Sequence, residues 1–551
     1  MKKFTLLILL GIIFLAGFLR IWRLTQHDVV TDEVFYGYRS IALIDSLNSP
    51  FQSTPFEWFE KIPWWAHFSF HDHPPLGFWI QHAFFAVLGG NLFAMRLPFA
   101  LAGVGAVLLI YFIARRLFRN ETVALASAGL LAVSNYHVWI SRIGLQESLV
   151  IFFMLLTIHF FLKSLEAGKF FYWTIGALGL AFLMKYISIV LLPVFLIYWY
   201  FRKREVLTVK RLAIGAVLFL AVISPVIVYN IGLYAARGHF DFQISYFLKQ
   251  QVPEWAVRPG REVGTFWEKF YNFFKNFWQY GGAVMVLTAV LAAAGVVRRR
   301  KEAPYFFVGL TILFLLLLFL VVGPQERFLS LLAPFWAMAL AATLLGRAAS
   351  RFRYVLLGLF VVLELALAFN TNLKVHPVGS QGMLYTLLRR ESNIWGYNQL
   401  DDYFTGLMAG RYPKANFPLR FAFTRPLQED ALRQAREQGR AEDRTLFVVD
   451  SRVHGPAFLW YFTRRTVYER WPVIEDQNFL TVAGGDLNFF TKQGFDRIVY
   501  FQTADTLKRG DIGAEASEAM VKLLTDQGVQ PETIVSRDGH EAFKVFIFQT
   551  M

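Results

Sequence analysis

Long apolar runs separated by short basic clusters dominate the first 370 residues of the 551-residue chain. The first run, Phe4–Leu19, is followed by Arg20 with no small-residue cleavage site, which predicts an uncleaved membrane anchor. Only 17% of the residues are charged, whereas a soluble domain carries about 25%. The chain is therefore predicted to be a polytopic α-helical membrane protein with about eleven spans and at most thirteen. The eleven predicted spans are 4–19, 95–114, 121–140, 148–164, 170–184, 186–201, 211–230, 280–297, 304–322, 327–346 and 352–370.

The basic clusters between these runs predict the orientation of the chain. A further apolar stretch, Pro75–Gly90, is short and contains Gln81 and His82, which favours a helix along the membrane interface over a span. If it does not cross, nineteen lysines and arginines fall on one side of the membrane, and this side is predicted to be cytoplasmic together with the N-terminus. If this stretch crossed the membrane, every later basic cluster would lie on the side opposite to the N-terminus. The clusters are 2–3, 115–119, 163–169, 202–211, 298–301 and 347–353.

The last 181 residues have the composition of a soluble domain. Residues 371–551 hold 22 Lys+Arg and 22 Asp+Glu, so the net charge of +15 belongs to the membrane part, and no nucleic-acid partner is predicted. Residues 1–370 and 371–551 are the two predicted domains, the second a small extracytoplasmic α/β domain. The absence of cysteine excludes disulfides, thiol nucleophiles and cysteine-ligated metals. The predicted strands are Leu446–Val449, Ile498–Phe501 and Val545–Phe548, and the predicted helices are 426–440 and 514–526.

The first outer loop, residues 22–94, contains two candidate motifs. The residues Thr31-Asp32-Glu33 suit a helix start, with Thr31 as the cap. A carboxylate at this place could instead be a general base for an acceptor group. His71-Asp72-His73-Pro74-Pro75 suits a solvated turn before a helix, and alternating histidines beside an acid also suit a divalent metal. Spacing alone leaves both pairs of interpretations open.

Five further charged residues stand at predicted outer ends of spans. They are Arg96, Arg142, Glu147, Lys185 and Arg327. Each one could snorkel to the headgroup region. As a set they fit that interpretation less well, because outer-face cations run against the positive-inside bias. Together they could form a pocket for an anionic lipid headgroup such as a phosphate.

These motifs, taken in order, resemble a known family. The chain reads TDE after the first apolar run, then HDHPPLGFW, RLPFALAGVGAVLLIYFIARRLF, SRIGLQESLVIFF, ALGLAFLMKYISIVLLP and QERFLSLLAPFW. This order resembles the dolichyl-phosphate-mannose–protein mannosyltransferase superfamily, above all its bacterial branch with the lipid A aminoarabinose transferases. The resemblance covers residues 1–346, while the C-terminal domain matches only in position and general type.

The resemblance implies the GT-C fold and an inverting transfer of a hexose or pentose from a polyprenyl-phosphate donor on the non-cytoplasmic face. It implies that Asp32 is the catalytic or acceptor-orienting carboxylate, with Glu33 beside it. The family has Glu-Lys-Pro-Pro where this chain has Asp72-His73-Pro74-Pro75, so His73 would replace a phosphate-binding lysine. The implied donor-phosphate residues are His73, Arg96, Arg142, Lys185 and Arg327, and the other implied cavity residues are Asp72 and Glu147.

The leading functional prediction is a bacterial cell-membrane glycosyltransferase with a lipid or glycan acceptor. A protein O-mannosyltransferase-like enzyme is the alternative within the class. A lipid or sugar transporter or flippase is the alternative from another class. Such proteins should have paired broken helices in two similar halves, and the sequence shows no such symmetry. An inactive binding relative is a third interpretation. No cofactor is predicted, and a divalent metal at His71 and His73 is the alternative. In the C-terminal domain, Asp450, Arg452 and His454 are interpreted as a polar turn after a strand.

Overall fold

The computed structural model describes residues 3–29, 31–47, 49, 52–202, 204–255, 264–346, 350–391, 394–413, 421–504 and 513–549. The chain forms two compact units. The first comprises residues 1–24 and 39–390, and the second comprises residues 25–38 and 391–551. Three of the predicted cytoplasmic basic residues, Lys2, Lys203 and Arg347, lie outside the described residues.

The first unit is a bundle of apolar helices. Within the described ranges, seven helices are long and apolar enough to cross a membrane, and two bent helix pairs raise this number to nine. The helix Glu326–Leu345 is buried over 94% of its apolar stretch and so lies at the centre of the bundle. The other long helices are Lys3–Ile21, Leu92–Phe118, Glu147–Ser164, Phe266–Arg298, Ala303–Val322 and Arg351–Asn372, and the bent pairs are Glu121–Val133 with Asn135–Arg142 and Val209–Val222 with Ser224–Arg237.

These elements confirm the membrane architecture predicted from the apolar runs. Two shorter apolar helices, Phe170–Met184 and Tyr186–Arg202, coincide with the remaining two of the eleven predicted spans. The doubtful stretch 75–90 forms the helix Leu76–Leu88, whose 13 residues extend only about 20 Å at 1.5 Å per residue. This length is short of the roughly 30 Å of membrane hydrocarbon, as is that of Phe170–Met184, so the interfacial placement of Leu76–Leu88 stays a prediction.

The predicted outer loop 231–279 is largely helical, which differs from the prediction. The helix Ser224–Arg237 continues into it, the short helix Phe242–Phe247 lies within it, and the helix Phe266–Arg298 starts fourteen residues before the predicted span. Thr265 and Glu268 form a capping box that starts this last helix, and Gly282, with φ of 72°, breaks it. The polar residues of 266–279 concealed this helix from a search for apolar runs. Shorter helices of the first unit are Pro55–Trp58, Trp64–His67, Arg204–Val206 and Leu387–Glu391.

The second unit confirms the predicted α/β domain. Its five-stranded sheet has the order Val473–Glu475, Thr445–Val449, Arg497–Thr503, Glu541–Gln549, Glu532–Val535, of which the first three are parallel and the last two pair antiparallel. Val448 lies opposite Tyr500, which lies opposite Phe546, in a buried layer. A two-stranded parallel sheet joins Arg411–Pro413 to Ala441–Asp443. The helices are Tyr397–Leu407, Ala422–Thr424, Arg425–Glu437, Gly455–Phe458, Leu459–Thr463, Arg464–Glu469, Asp476–Ala483, Phe489–Gln493 and Ala514–Asp526.

Candidate functional site

A buried ion cluster joins three helix ends in the first unit. Glu147 is the first residue of the helix Glu147–Ser164, and Lys185 follows the helix Phe170–Met184 in extended conformation. The Nζ of Lys185 donates to Oε1 of Glu147 at 2.5 Å. Arg327, in the short helix Glu326–Leu329, brings its Nε to 3.9 Å from the same oxygen. The structure therefore brings together three of the charged residues predicted at outer span ends.

The cluster has more positive than negative charge. Glu147 is fully buried and Lys185 is 3% exposed, while the Arg327 side chain is 20% exposed. Lys185 and Arg327 lie against the ring of Phe328, at 5.1 and 5.3 Å from its centroid. Among the described residues, Oε2 of Glu147 has no hydrogen-bond partner. Two cations beside one carboxylate are suited to binding an anion in a partly dry site.

A second network, in the first outer loop, holds His73. The Arg39 guanidinium donates to both oxygens of Asp72, at 2.6 and 3.1 Å, and Nδ1 of His73 lies 3.1 Å from Oδ2 of Asp72. Burial opposes ionisation of Asp72, but Arg39, His73 and His71 outweigh burial and hold the pKa of this carboxyl well below its usual range. Asp72 is therefore a fixed anion that orients the His73 ring.

His73 also faces the buried ion cluster. Burial, together with the positive charges of Lys185 and Arg39, outweighs the attraction of Asp72 and lowers the pKa of His73. Gly77, four residues after His73, lies against Gln146 and Met184, which directly precede Glu147 and Lys185 in the chain. His73, Lys185, Glu147 and Arg327 therefore belong to one region of the first unit.

The metal alternative fits the loop network poorly. Ligand atoms of Asp45, His71 and Asp72 lie within 4.8 Å of one another, so the group with metal-like spacing is not the predicted pair His71 and His73. His71 uses Nδ1 on Asp45 at 2.7 Å and Nε2 on Gln52 at 3.3 Å. The Arg39 guanidinium, 3.4 Å from Asp45 and 2.6 Å from Asp72, already supplies the positive charge between the carboxylates. A metal ion would have to displace this guanidinium.

Two predicted phosphate-binding residues donate hydrogen bonds to backbone carbonyls. Arg142 donates to the carbonyl oxygens of Leu19, Trp22 and Arg23, each at 2.9 Å, and Arg96 donates to that of Leu24 at 3.1 Å. These carbonyls belong to the last turn of the first helix and the residues after it, which have no intrahelical donor. Arg142 and Arg96 therefore bind the carboxyl end of the first helix, and their role at a phosphate stays a prediction.

Asp32 and Glu33 belong to the second unit. The helix Glu33–Ser40 begins directly after Asp32, which is exposed, while Glu33 is buried. The Oγ1 of Thr31 has no hydrogen-bond partner among the described residues, so the predicted threonine cap is not made. The ion cluster belongs to the first unit, and the pairing of Asp32 with it stays a prediction.

The segment 25–38 is anchored within the second unit by Asp28. Its carboxylate accepts the backbone N–H groups of Trp395, Gly396 at 2.9 Å and Asn398 at 2.8 Å, at the start of the helix Tyr397–Leu407. Burial raises the pKa of Asp28, and these amides offset part of the effect. The segment that carries Asp32 is thus a structural part of the C-terminal unit, which the sequence did not suggest.

The polar cluster of the C-terminal unit is internally satisfied. Asp450 follows the strand Thr445–Val449 and accepts from Nη2 of Arg452 at 2.6 Å, from Ser517 at 3.1 Å and from the Thr503 amide at 3.1 Å. Asp450 is fully buried, so these bonds tie the loop to the neighbouring strand and helix. The interpretation as a polar turn therefore remains adequate for Asp450 and Arg452.

Sequence reasoning missed Arg39, Asp45 and Gln52 in the loop network. Arg39 carried one usable signal, because it is a cation in a region predicted to lie outside, where the positive-inside bias makes cations uncommon. Asp45 and Gln52 carried none, since their partner His71 lies 26 and 19 residues further along the chain.

The apolar bundle, the terminal α/β unit and the buried cations at helix ends define an integral membrane protein with the GT-C fold. Residues 72–229 match the family described as dolichyl-phosphate-mannose-protein mannosyltransferase. The fold is similar over 99% of the chain to the crystal structure of ArnT from Cupriavidus metallidurans bound to undecaprenyl phosphate. The TM-score is 0.53 with 13% identity, and 98% of that chain is covered, so the similarity concerns the fold.

Two curated relatives match part of the chain. The putative mannosyltransferase YkcB of Bacillus subtilis is 28% identical over 224 residues, which are 40% of this chain and 29% of that protein. The undecaprenyl phosphate-alpha-4-amino-4-deoxy-L-arabinose arabinosyl transferase of Pseudomonas aeruginosa is 27% identical over 208 residues, 36% of this chain and 37% of that protein. The chain thus spans less than two fifths of these relatives' length, and it resembles GT-C glycosyltransferases.

Proposed function

We propose that this protein is a membrane glycosyltransferase that moves a sugar from a polyprenyl-phosphate donor to an extracytoplasmic acceptor. The observation that carries the proposal is the buried cluster of Lys185, Glu147 and Arg327, beside His73, in a GT-C fold. Three of these residues, His73, Glu147 and Lys185, lie inside the segment matched to the mannosyltransferase family. The names of the relatives, which refer to mannosyl and undecaprenyl-phosphate arabinosyl transfer, support this class.

The cluster suits the donor phosphate. As the bond between the sugar and the phosphate breaks, the electron pair goes to a phosphate oxygen, whose negative charge grows. Lys185 and Arg327 stabilise that charge, and His73 donates a hydrogen bond to it, while Glu147 holds Lys185 in place. A phosphate is a good leaving group, so the general acid that glycosidases use on a sugar oxygen is not required.

Asp32 is proposed as the base for the acceptor. The acceptor hydroxyl attacks the anomeric carbon from the face opposite the phosphate, its proton passes to the Asp32 carboxylate, and the configuration inverts in a single displacement. The exposure of Asp32 allows an acceptor to reach it, and Glu33 is the neighbouring carboxyl of the family's Asp-Glu pair. Arg96 and Arg142 are kept as further phosphate-binding candidates.

The proposed acceptor is a lipid or an envelope glycan, and a protein acceptor is the second candidate. The sequence resemblance to the lipid A aminoarabinose transferases favours a lipid acceptor. The relatives named after mannosyl and arabinosyl transfer support a hexose as well as a pentose donor. The proposed location is the bacterial cell membrane with the N-terminus in the cytoplasm. The predicted one-sided distribution of the basic clusters supports this orientation.

Native mass spectrometry of the detergent-purified protein with undecaprenyl phosphate tests the phosphate site. The wild type should retain the lipid, and Lys185→Met should lose most of it. Lys169→Met is the matched control, because Lys169 is exposed and precedes the same helix that Lys185 follows. Equal retention by all three proteins, or by none, would contradict the proposal. Release of undecaprenyl phosphate from a sugar-linked donor then distinguishes a transferase from a transporter, which would move the donor intact.

A further inference from the structure

Gln146 has a buried side chain whose hydrogen-bonding groups are not used by the fold. It is 1% exposed, and neither its Oε1 nor its Nε2 has a hydrogen-bond partner among the described residues. Gln146 precedes Glu147 at the start of the helix Glu147–Ser164, but its side chain makes no cap hydrogen bond. Leaving a buried carboxamide unpaired costs folding free energy, and native proteins seldom do so without a reason.

Its neighbours place Gln146 in the same region of the first unit as the ion cluster. A Cβ added at Gly77 would lie 3.1 Å from Nε2 of Gln146 and 3.2 Å from the methyl group of Met184. Gly77 comes four residues after His73, Met184 directly precedes Lys185, and Gln146 directly precedes Glu147. Gln146 and its two neighbours in space are thus each close in the chain to a residue of the proposed phosphate site. A side chain at Gly77 would require these neighbours to shift by a few tenths of an ångström, so the glycine allows this close packing.

Gln81, a second buried glutamine in the same unit, provides a comparison because the fold uses its amide group. Gln81 is also 1% exposed, yet its Oε1 accepts from the Ser40 hydroxyl at 2.8 Å and its Nε2 donates to the Met95 carbonyl at 3.0 Å. Gln81 therefore joins three elements of the bundle. Gln146 joins none, which points to a ligand as its partner.

The chemistry of a carboxamide indicates which part of the ligand it binds. Phosphate oxygens only accept hydrogen bonds, and Lys185 and Arg327 already supply donors for them. A carboxamide both donates and accepts, which complements a hydroxyl group. The Oε2 of Glu147, the following residue, also has no hydrogen-bond partner among the described residues and offers a further acceptor in this region. We propose that Gln146 binds hydroxyl groups of the donor sugar and helps to select it, an inference that rests on the glycosyltransferase function proposed above.

Two variants separate a ligand-binding amide from a structural one. Gln146→Leu removes only unpaired groups, so its melting temperature should stay at or above that of the wild type. Gln81→Leu removes the two hydrogen bonds by which this side chain joins separate helices, and its melting temperature should fall. A fall for Gln146→Leu comparable to that of Gln81→Leu would assign the amide to the fold and overturn the inference.

Binding then identifies the part of the donor. The probes are undecaprenyl phosphate and the same lipid carrying mannose or 4-amino-4-deoxy-L-arabinose. We expect Gln146→Leu to bind the bare phosphate as the wild type does, and to bind the preferred sugar-linked probe about tenfold more weakly. If Gln146→Leu binds all probes equally more weakly, or binds all of them as the wild type does, the inference is overturned. Binding of the probes by the wild type would still support the proposed function. If the wild type binds no probe, the proposed function fails as well.

Discussion

The Arg39 guanidinium donates to both carboxylate oxygens of Asp72, at 2.6 Å to Oδ1 and 3.1 Å to Oδ2. This two-point geometry is specific to arginine, because the compact ammonium group of lysine cannot match both oxygens at once. Asp72 in turn lies 3.1 Å from Nδ1 of His73. Arg39 therefore fixes the orientation of a predicted phosphate-binding residue without having to contact the ligand itself.

Removing Arg39 should destabilise the protein strongly. Arg39→Leu leaves the carboxylates of Asp45 and Asp72 without their common cation, which we expect to cost about 3–5 kcal/mol in the free energy of unfolding. Arg39→Leu combined with Asp72→Leu should recover part of this loss, as measured by denaturant unfolding in detergent. Arg116→Leu, which breaks the exposed pair with Glu166, is the control and should cost less than about 1 kcal/mol. Equal losses for the two arginines would contradict the buried network.

The same network makes stability depend on pH. The pKa of Asp72 is held well below its usual range, so its ionised form contributes stability above the unfolded pKa of about 3.9. This contribution is lost as the pH falls through the lower pKa of the folded state. The wild type should therefore lose stability in acid more steeply than Asp72→Asn, which has no such proton to bind. Parallel stability profiles below about pH 5 would show that Asp72 is not held as an anion.

A substitution of Arg142 tests whether this buried cation binds the end of the first helix or the donor phosphate. Its guanidinium donates to the carbonyls of Leu19, Trp22 and Arg23, and a lysine cannot reach all three. Arg142→Lys should therefore lower the free energy of unfolding by about 2 kcal/mol, with the affinity for undecaprenyl phosphate changed less than twofold. A tenfold weaker affinity at unchanged stability would support the phosphate role predicted from the sequence.

The sequence predicted the membrane architecture well because each span is determined locally. A run of about twenty apolar residues identifies a span without reference to any other part of the chain. The strands Thr445–Val449 and Arg497–Thr503 were recognisable for the same reason, as short apolar runs between polar segments. The helical start at Phe266 was missed because its residues alternate between aromatic and polar types, so that no continuous apolar run marks it.

The candidate site was only partly predictable, because its contacts join distant residues. Lys185 and Glu147 were recognised as charges at span ends, but their pairing spans 38 residues. Arg142 has the same residue type and location as a phosphate ligand, yet its partners are carbonyls 119–123 residues away. Gln146 attracted no attention in the sequence, since its distinguishing feature is the absence of partners in the folded state.

Donor binding should strengthen as the pH falls. Burial, with Lys185 and Arg39 nearby, lowers the pKa of His73, so the ring is neutral in the free protein at pH 7. A bound phosphate adds a negative charge that raises this pKa, and binding then takes up a proton. The affinity for a sugar-linked phosphodiester, whose own charge is constant, should rise as the pH falls through and below the ordinary histidine pKa of about 6.5, and it should be flat in His73→Gln. An identical pH profile in this variant would exclude His73 as the titrating group.

Asp32→Asn should stop transfer without weakening the donor complex. A general base contributes about 10²- to 10⁴-fold to the rate, and the amide cannot accept the acceptor's proton. The turnover of a sugar-linked donor should fall by that factor, while undecaprenyl phosphate binds within twofold of the wild type, because the proposed phosphate residues are unchanged. Asp430→Asn is the matched control, since it removes an exposed carboxylate from a helix of the same unit. Turnover retained in Asp32→Asn would remove Asp32 as the base, and a loss of donor binding would assign it to the donor site instead.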